Sequence, residues 1–273
     1  MPQLSTFVPE ASRSQLPPSF RILGVAVHAV QIPHVVTQVE HWIRSDVKGR
    51  YVAVTSMHGI AESRGDGDFR SALDSADLVV PDGMPLVWLG RWHKHSLERR
   101  VYGPELMETF CRETGPAYRH FFYGGAGDTA ERLADAMRRR YGIVVAGTYT
   151  PPFRPLTDQE LQDVSARVAA SSANVLWVGL GTPKQEKWMH QNREKLPVAV
   201  MLGVGAAFDI HTGKTRQAPT WMREHGLEWM FRLLTEPRRL WRRYLVAIPA
   251  AAGLVFLELV GFRPRIGKPS LSD

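Results

Sequence analysis

The sequence predicts an α/β protein: a mostly parallel sheet flanked by helices, followed by a basic and apolar helical appendage. Three observations carry that reading. Short apolar runs rich in β-formers alternate with helix-length amphipathic stretches. Several runs end in glycine or in Pro-Asp-Gly, where parallel strands stop and α/β enzymes keep their chemistry. Beyond residue 235 arginines and aromatics crowd together ahead of an apolar run. A chain of 273 residues, 44% apolar and 22% charged, can build a sizeable core.

In chain order, residues 1–19 hold prolines and serines without the apolar centre of a signal peptide, which predicts a disordered leader. The single cysteine, Cys111, excludes an intrachain disulfide; with no secretion signal it points to a cytoplasmic location. Residues 20–235 are read as the catalytic α/β domain and 236–273 as a membrane-associating appendage. Arg21–Val30 reads as the first strand, and Pro33 opens a helix to Ser45 with Val35, Val36, Val39, Trp42 and Ile43 at helical spacing. Tyr51–Thr55 is the next strand and runs into a Ser-Met-His-Gly loop. A helix over Gly67–Ser75 precedes the strand Asp77–Val80, which meets Pro81-Asp82-Gly83. Met84–Trp92 forms a short helix, and another follows the segment around Arg100.

His120–Tyr123 is a strand ending in Gly124-Gly125-Ala126-Gly127, with a helix over Thr129–Tyr141. The strand Ile143–Thr148 and the helix Asp158–Ala170 lead to the stretch Leu176–Asp209. There the strands Leu176–Gly179 and Val198–Gly203 bracket a helix. Thr182 stands at its N-cap position, Pro183 at the first helical position and Gln185 at the capping-box position. Adjacent strands that end in bare glycine backbone make a crevice suited to phosphates. Gly124, Gly125, Gly181 and Gly205 are therefore candidate ligand contacts, although glycine turns also serve tight packing alone.

Asp82, at a strand end, is a candidate general base; the plainer role of an Asp before Gly is a turn. Thr55 is either a last strand residue or a hydroxyl aimed into the same cleft. No Walker A pattern appears, and no His, Cys or Asp cluster has metal-ligand spacing. The net charge of +7 favours an acidic partner. Arg238 and Arg242, four residues apart, share a helical face, with Arg239 beside them. The apolar run 245–262 is interrupted by Pro249, Gly253 and Glu258, which argues for lying on an anionic membrane surface rather than spanning it. A core or dimer-contact helix is the plainer alternative, and the arginines follow no nucleic-acid motif.

The strings LVVPDG, RRVYGPEL, FFYGGAGD, VLWVGLGTPKQEKW, GVGAAFDIHTGKTRQAPTW and GLEWMFRLLTEPRRLWRRY resemble the WecG/TagA/CpsF glycosyltransferase family over about residues 20–245. The resemblance implies a Rossmann-like α/β fold and inverting, metal-independent transfer of a hexose from a UDP-sugar to a polyprenyl-diphosphate-linked acceptor, without a cofactor, by a peripheral protein on the inner face of the plasma membrane. It implies Asp82 as the base, Thr55 and Arg100 as its catalytic neighbours, and Gln185 and Asp209 in the nucleotide-sugar pocket. It also assigns Arg238, Arg239 and Arg242 to a membrane-binding segment that closes over the site. Members often carry Asn where this chain has Met57, which implies a different sugar or acceptor, with His58 as a compensating group. A nicotinamide-dependent oxidoreductase is the rival enzyme, but the first strand lacks its complete glycine fingerprint. A non-catalytic sugar-nucleotide or membrane-binding module is the rival of another class. The sequence leaves homo-oligomerisation open.

Overall fold

Residues Arg21–Val30, expected as one strand, form a hairpin: β1 (Ser19–Ile22) pairs antiparallel with β2 (Val25–His28). Leu23 and Gly24 both take positive φ, 48° and 80°, giving the two-residue turn whose twist suits a hairpin. Phe20, Ile22, Val25 and Val27 are buried. The computed structural model describes residues 16–235 together with 237, 238, 249, 253–255 and 257. The expected leader up to residue 15, Arg239, Arg242 and most of the appendage 236–273 lie outside the described residues.

After the hairpin, α1 (Ile32–Arg44) buries Val35, Val36, Val39 and Trp42, and leads to β3 (Arg50–Thr55). The expected Ser-Met-His-Gly loop is instead the start of α2 (Met57–Glu62), because Met57 and Ile60 lie one helical turn apart and both bury. Then come α3 (Gly67–Asp74), β4 (Leu78–Pro81), α4 (Met84–Trp92) and α5 (Gly103–Thr114). The next elements are β5 (Arg119–Gly124), α6 (Thr129–Tyr141), β6 (Val144–Tyr149) and α7 (Asp158–Ser171). They are followed by β7 (Val175–Gly179), α8 (Lys184–Asn192), β8 (Val200–Gly203), α9 (Ala207–His211), α10 (Thr220–Glu224) and α11 (Glu228–Thr235).

Strands β3 to β8 form one six-stranded parallel sheet in the order β4-β3-β8-β7-β5-β6. Val52 and Val54 of β3 face a core built with α1, α5, α6 and α9, including Phe110, Met137 and Phe208. Ala53 faces the opposite core, built with the hairpin, α2, α3 and α4. Tyr51 faces that side too, in a cluster with Val164 of α7 and Met189 of α8. Helices thus cover both sheet faces, as a parallel sheet requires. The chain leaves β3 and β4 towards one face and β8 and β5 towards the other. That reversal opens a crevice at the carboxyl ends of β3, β8 and β7. The hairpin is tied to β4 by Val79 N–H, which donates to His28 Nδ1 at 3.0 Å; burial lowers the His28 pKa and keeps that nitrogen an acceptor. Among the described residues no helix is long and apolar enough to cross a membrane.

Candidate active site

Thr55 joins two groups of side chains at the crevice. Its carbonyl accepts from Asp82 N–H at 2.8 Å, fastening the end of β4 to the end of β3. Val101 N–H donates to Pro81 O at 2.8 Å and brings the segment carrying Arg100 to the same edge. Arg100 lies in the field of Asp82, pairs with Glu228 at the start of α11 and stacks over the Tyr102 ring at 4.2 Å from its centroid. Burial disfavours the guanidinium charge, but Asp82 and then Glu228 outweigh it and raise the Arg100 pKa. Burial first, then the Glu228 and Asp82 charges, push the Tyr102 phenol up, so it stays neutral. Beside Arg100 a cavity of about 310 Å³ is lined by Met84, Glu98, Arg99, Glu105, Thr220 and Arg223. Three arginines and two glutamates in the lining suit a charged, polar ligand. The sequence reading missed Glu228; the signal available was an acid inside the otherwise basic and aromatic GLEWMFRLL string.

The second group surrounds the start of α8. The capping box expected from Thr182 and Gln185 does not form: Pro183 occupies the N-cap position and α8 begins at Lys184. The Thr182 hydroxyl donates instead to Glu186 Oε1 at 2.9 Å, and Gln185 Nε2 donates to the same oxygen at 3.1 Å. The helix starts one position later than the pattern places it, so Thr182 stands outside the cap and its hydroxyl proton goes to the buried carboxyl. Glu186 is fully buried, and burial pushes its carboxyl up to about 7, with the Glu62 charge assisting and the Gln185 and Thr182 hydrogen bonds opposing. The Thr55 side chain, also buried, and Thr182 both border Gly59, where a Cβ would sit 2.6 Å from Thr55 Oγ1 and 3.4 Å from the Thr182 methyl. Glu186 too was overlooked in the sequence, where the Pro-Lys-Gln-Glu run reads as a polar helix start.

The glycine turns divide by role. Gly124 has φ +137°, and a Cβ there would lie 2.5 Å from Gly179 O, so it serves the close approach of β5 and β7. Gly125 is similarly pressed by Thr129, while Gly181 has open space where a side chain would go. Gly205 borders the Gln185 carbonyl. Asp209 sits half-exposed in α9, 3.7 Å from Lys214 Nζ. Arg238 is exposed. Met57 packs into the core beside the hairpin, and His58 pairs with Glu62 at 3.5 Å. Among the described residues no group of three His, Cys, Asp or Glu side chains could hold a metal ion.

The fold and site together define an enzyme of the open α/β class, with ligand-facing residues at the carboxyl edge of a parallel sheet. The Glycosyl transferase WecG/TagA/CpsF family matches residues 20–265, and the chain belongs to that family. It is a glycosyltransferase that moves a hexosyl group. A protein of Bacillus spizizenii (strain ATCC 23059 / NRRL B-14472 / W23) is 32% identical over 200 residues, covering 72% of this chain and 76% of its own length. One of Bacillus subtilis (strain 168) is 30% identical over 194 residues, covering 71% and 73% respectively. Each is described as an N-acetylglucosaminyldiphosphoundecaprenol N-acetyl-beta-D-mannosaminyltransferase.

Proposed function

We propose that this chain transfers a hexose (N-acetylmannosamine, its uronate, glucose or a similar sugar) from a UDP-sugar to a polyprenyl-diphosphate-linked sugar acceptor. The transfer inverts the anomeric centre, needs no metal, and serves cell-surface polysaccharide synthesis at the inner face of the plasma membrane. The observation that carries the reading is Asp82 beside Arg100 on one crevice wall: a carboxylate able to take a proton next to a guanidinium able to meet a diphosphate. The described activity of the two relatives supports the acceptor class.

Asp82 takes the proton of the acceptor hydroxyl as its oxygen attacks the anomeric carbon from the face opposite UDP. The new C–O bond forms, the bond to the β-phosphate oxygen breaks, and UDP leaves with the electron pair. Arg100 and the amino ends of α4 and α8 supply positive potential for the leaving diphosphate. In the free chain Glu228 holds Arg100, so an entering diphosphate exchanges one anionic partner for another. Residues 236–273 act as the membrane-associating appendage, bringing the arginines to anionic headgroups.

A donor screen tests the reading. The purified chain is given a panel of UDP-sugars and a short polyprenyl-diphosphate-linked acceptor, with UDP release measured with and without EDTA. Acceptor-dependent release from one UDP-sugar, undiminished by EDTA, is expected. Release from none of them refutes the donor assignment, and loss of release in EDTA refutes metal independence.

A further inference from the structure

Two donors, the Thr182 hydroxyl and the Gln185 amide, converge on Glu186 Oε1. An amide that donates through Nε2 turns its carbonyl oxygen the other way. Gln185 Oε1 accordingly lies towards the glycine turns: a Cβ built on Gly205 would be 3.4 Å from it and 3.8 Å from Gly181 Cα. Among the described residues nothing donates to this oxygen, although Gln185 is only 2% exposed. A buried amide carbonyl without a donor has given up its hydrogen bond to water and gained none in return. Native folds resolve most such groups with a partner. Here the oxygen borders turns with bare backbone on the ligand edge of the sheet, which makes a ligand the natural partner.

We propose that Glu186 is a positioning residue that locks the Gln185 amide with its carbonyl towards the Gly181 and Gly205 turns, creating a subsite for a hydrogen-bond donor of the nucleotide sugar. The proposal rests on the UDP-sugar reading and sharpens it. Two glycine turns suggest phosphate, yet a fixed carbonyl repels phosphate oxygen. The group that fits is an N–H or O–H: the imide of uracil, or a hydroxyl or amide N–H of the sugar. The diphosphate belongs nearer Arg100. Gln185 chooses the ligand atom, and Glu186 chooses which end of Gln185 the ligand meets.

Calorimetric titration of the full chain with UDP, N3-methyl-UDP, UDP-N-acetylmannosamine and pyrophosphate tests this. Gln185→Met removes the acceptor. Glu186→Met frees the amide to flip, and Glu186→Gln restores an acceptor oxygen in the same place. If uracil is the donor, Gln185→Met and Glu186→Met each weaken UDP binding about 10-fold, N3-methyl-UDP binds the wild type weakly, and Gln185→Met leaves that weak binding unchanged. If the sugar is the donor, both substitutions weaken UDP-N-acetylmannosamine and spare UDP. In either case Glu186→Gln recovers most of the affinity lost in Glu186→Met, and pyrophosphate binding is the same throughout. Unchanged binding of both nucleotides by Gln185→Met overturns the subsite, as does an equal loss of pyrophosphate binding. Failure of Glu186→Gln to recover affinity removes Glu186 from the positioning role. Should Glu186→Met fail to fold, the Gln185→Met and N3-methyl-UDP pair still decides the subsite, Glu186→Leu replaces Glu186→Met as the variant that frees the amide, and a loss of nucleotide affinity in Glu186→Gln still refutes the positioning role. A wild-type chain that binds no nucleotide overturns the UDP-sugar reading itself, and the subsite with it.

Discussion

Replacing Glu186 by Gln should stabilise the protein, and by an amount that grows with pH. Burial pushes the carboxyl up to about 7 in the folded chain from an ordinary value of 4.5. The folded state therefore binds the proton more tightly than the unfolded state. Below about pH 4.5 both states are protonated and the residue costs nothing through ionisation. As pH rises towards 7 the unfolded chain releases its proton first, so stability falls, and above 7 the loss levels off. A gap of about 2.5 pH units corresponds to roughly 3 kcal/mol. His120, buried and lowered to about 4, acts in the opposite sense: its contribution rises as pH climbs from about 4 to 6.5. His28 and His211, also lowered by burial, add to that rise. The wild-type profile mixes both trends, but the difference between Glu186→Gln and wild type cancels the histidines. Urea unfolding followed by tryptophan fluorescence at pH 5, 6, 7 and 8 gives that difference. It should be small at pH 5 and approach roughly 3 kcal/mol in favour of Glu186→Gln at pH 8. A difference that stays flat, or favours wild type at high pH, refutes the buried, neutral carboxyl.

Asp82→Asn should keep UDP affinity while turnover falls by a factor on the order of 10² or more; near-normal turnover excludes Asp82 as the base. Glu228→Gln removes one of the two carboxylates that balance the Arg100 charge and, with Asp82 remaining, should cost roughly 1–3 kcal/mol in urea unfolding; an unchanged midpoint would remove the pair from the stability of the fold. Gly124→Ala places a methyl 2.5 Å from the Gly179 carbonyl oxygen at φ +137°. It should destabilise by upward of about 3 kcal/mol in thermal melts, and an unchanged Tm contradicts the close approach of the two strands. Changing Arg238, Arg239 and Arg242 together to Glu should reduce flotation with anionic vesicles by more than about 10²-fold. Equal flotation would remove these arginines from membrane binding.

Much of the fold was legible because local and global signals agree. The boundaries of α4 and α6 fall where the sequence placed them, and β3 and β4 differ only at their ends, because apolar spacing and the flanking turns specify the same elements. The hairpin escaped because Val25 to Val27 continues the apolar alternation across Leu23-Gly24, and periodicity alone does not register a reversal of direction. Thr182 and Gln185 satisfied a local capping pattern, but the helix begins only at Lys184, and both side chains turn to the buried carboxyl of Glu186 instead. The Arg100–Glu228 pair spans 128 residues of sequence, a contact that only the closed fold creates. Asp82 and Thr55 were readable as strand-end residues; their direct backbone link depends on the β3–β4 register.

Val255, far along the apolar run, is buried at 5% exposure in the same core cluster as Phe20, Leu23 and Val25 of the opening hairpin, with Leu254 packed beside it. The late segment is thus a cover for the earliest one. Deleting the carboxyl-terminal residues would uncover greasy surface on the hairpin side, and such surface is itself sticky towards detergent, vesicles and other copies. A shortened protein that binds lipid as well as the full chain would therefore be reporting its own wound. Charge reversals that leave Val255 in place ask the membrane question without opening that second surface.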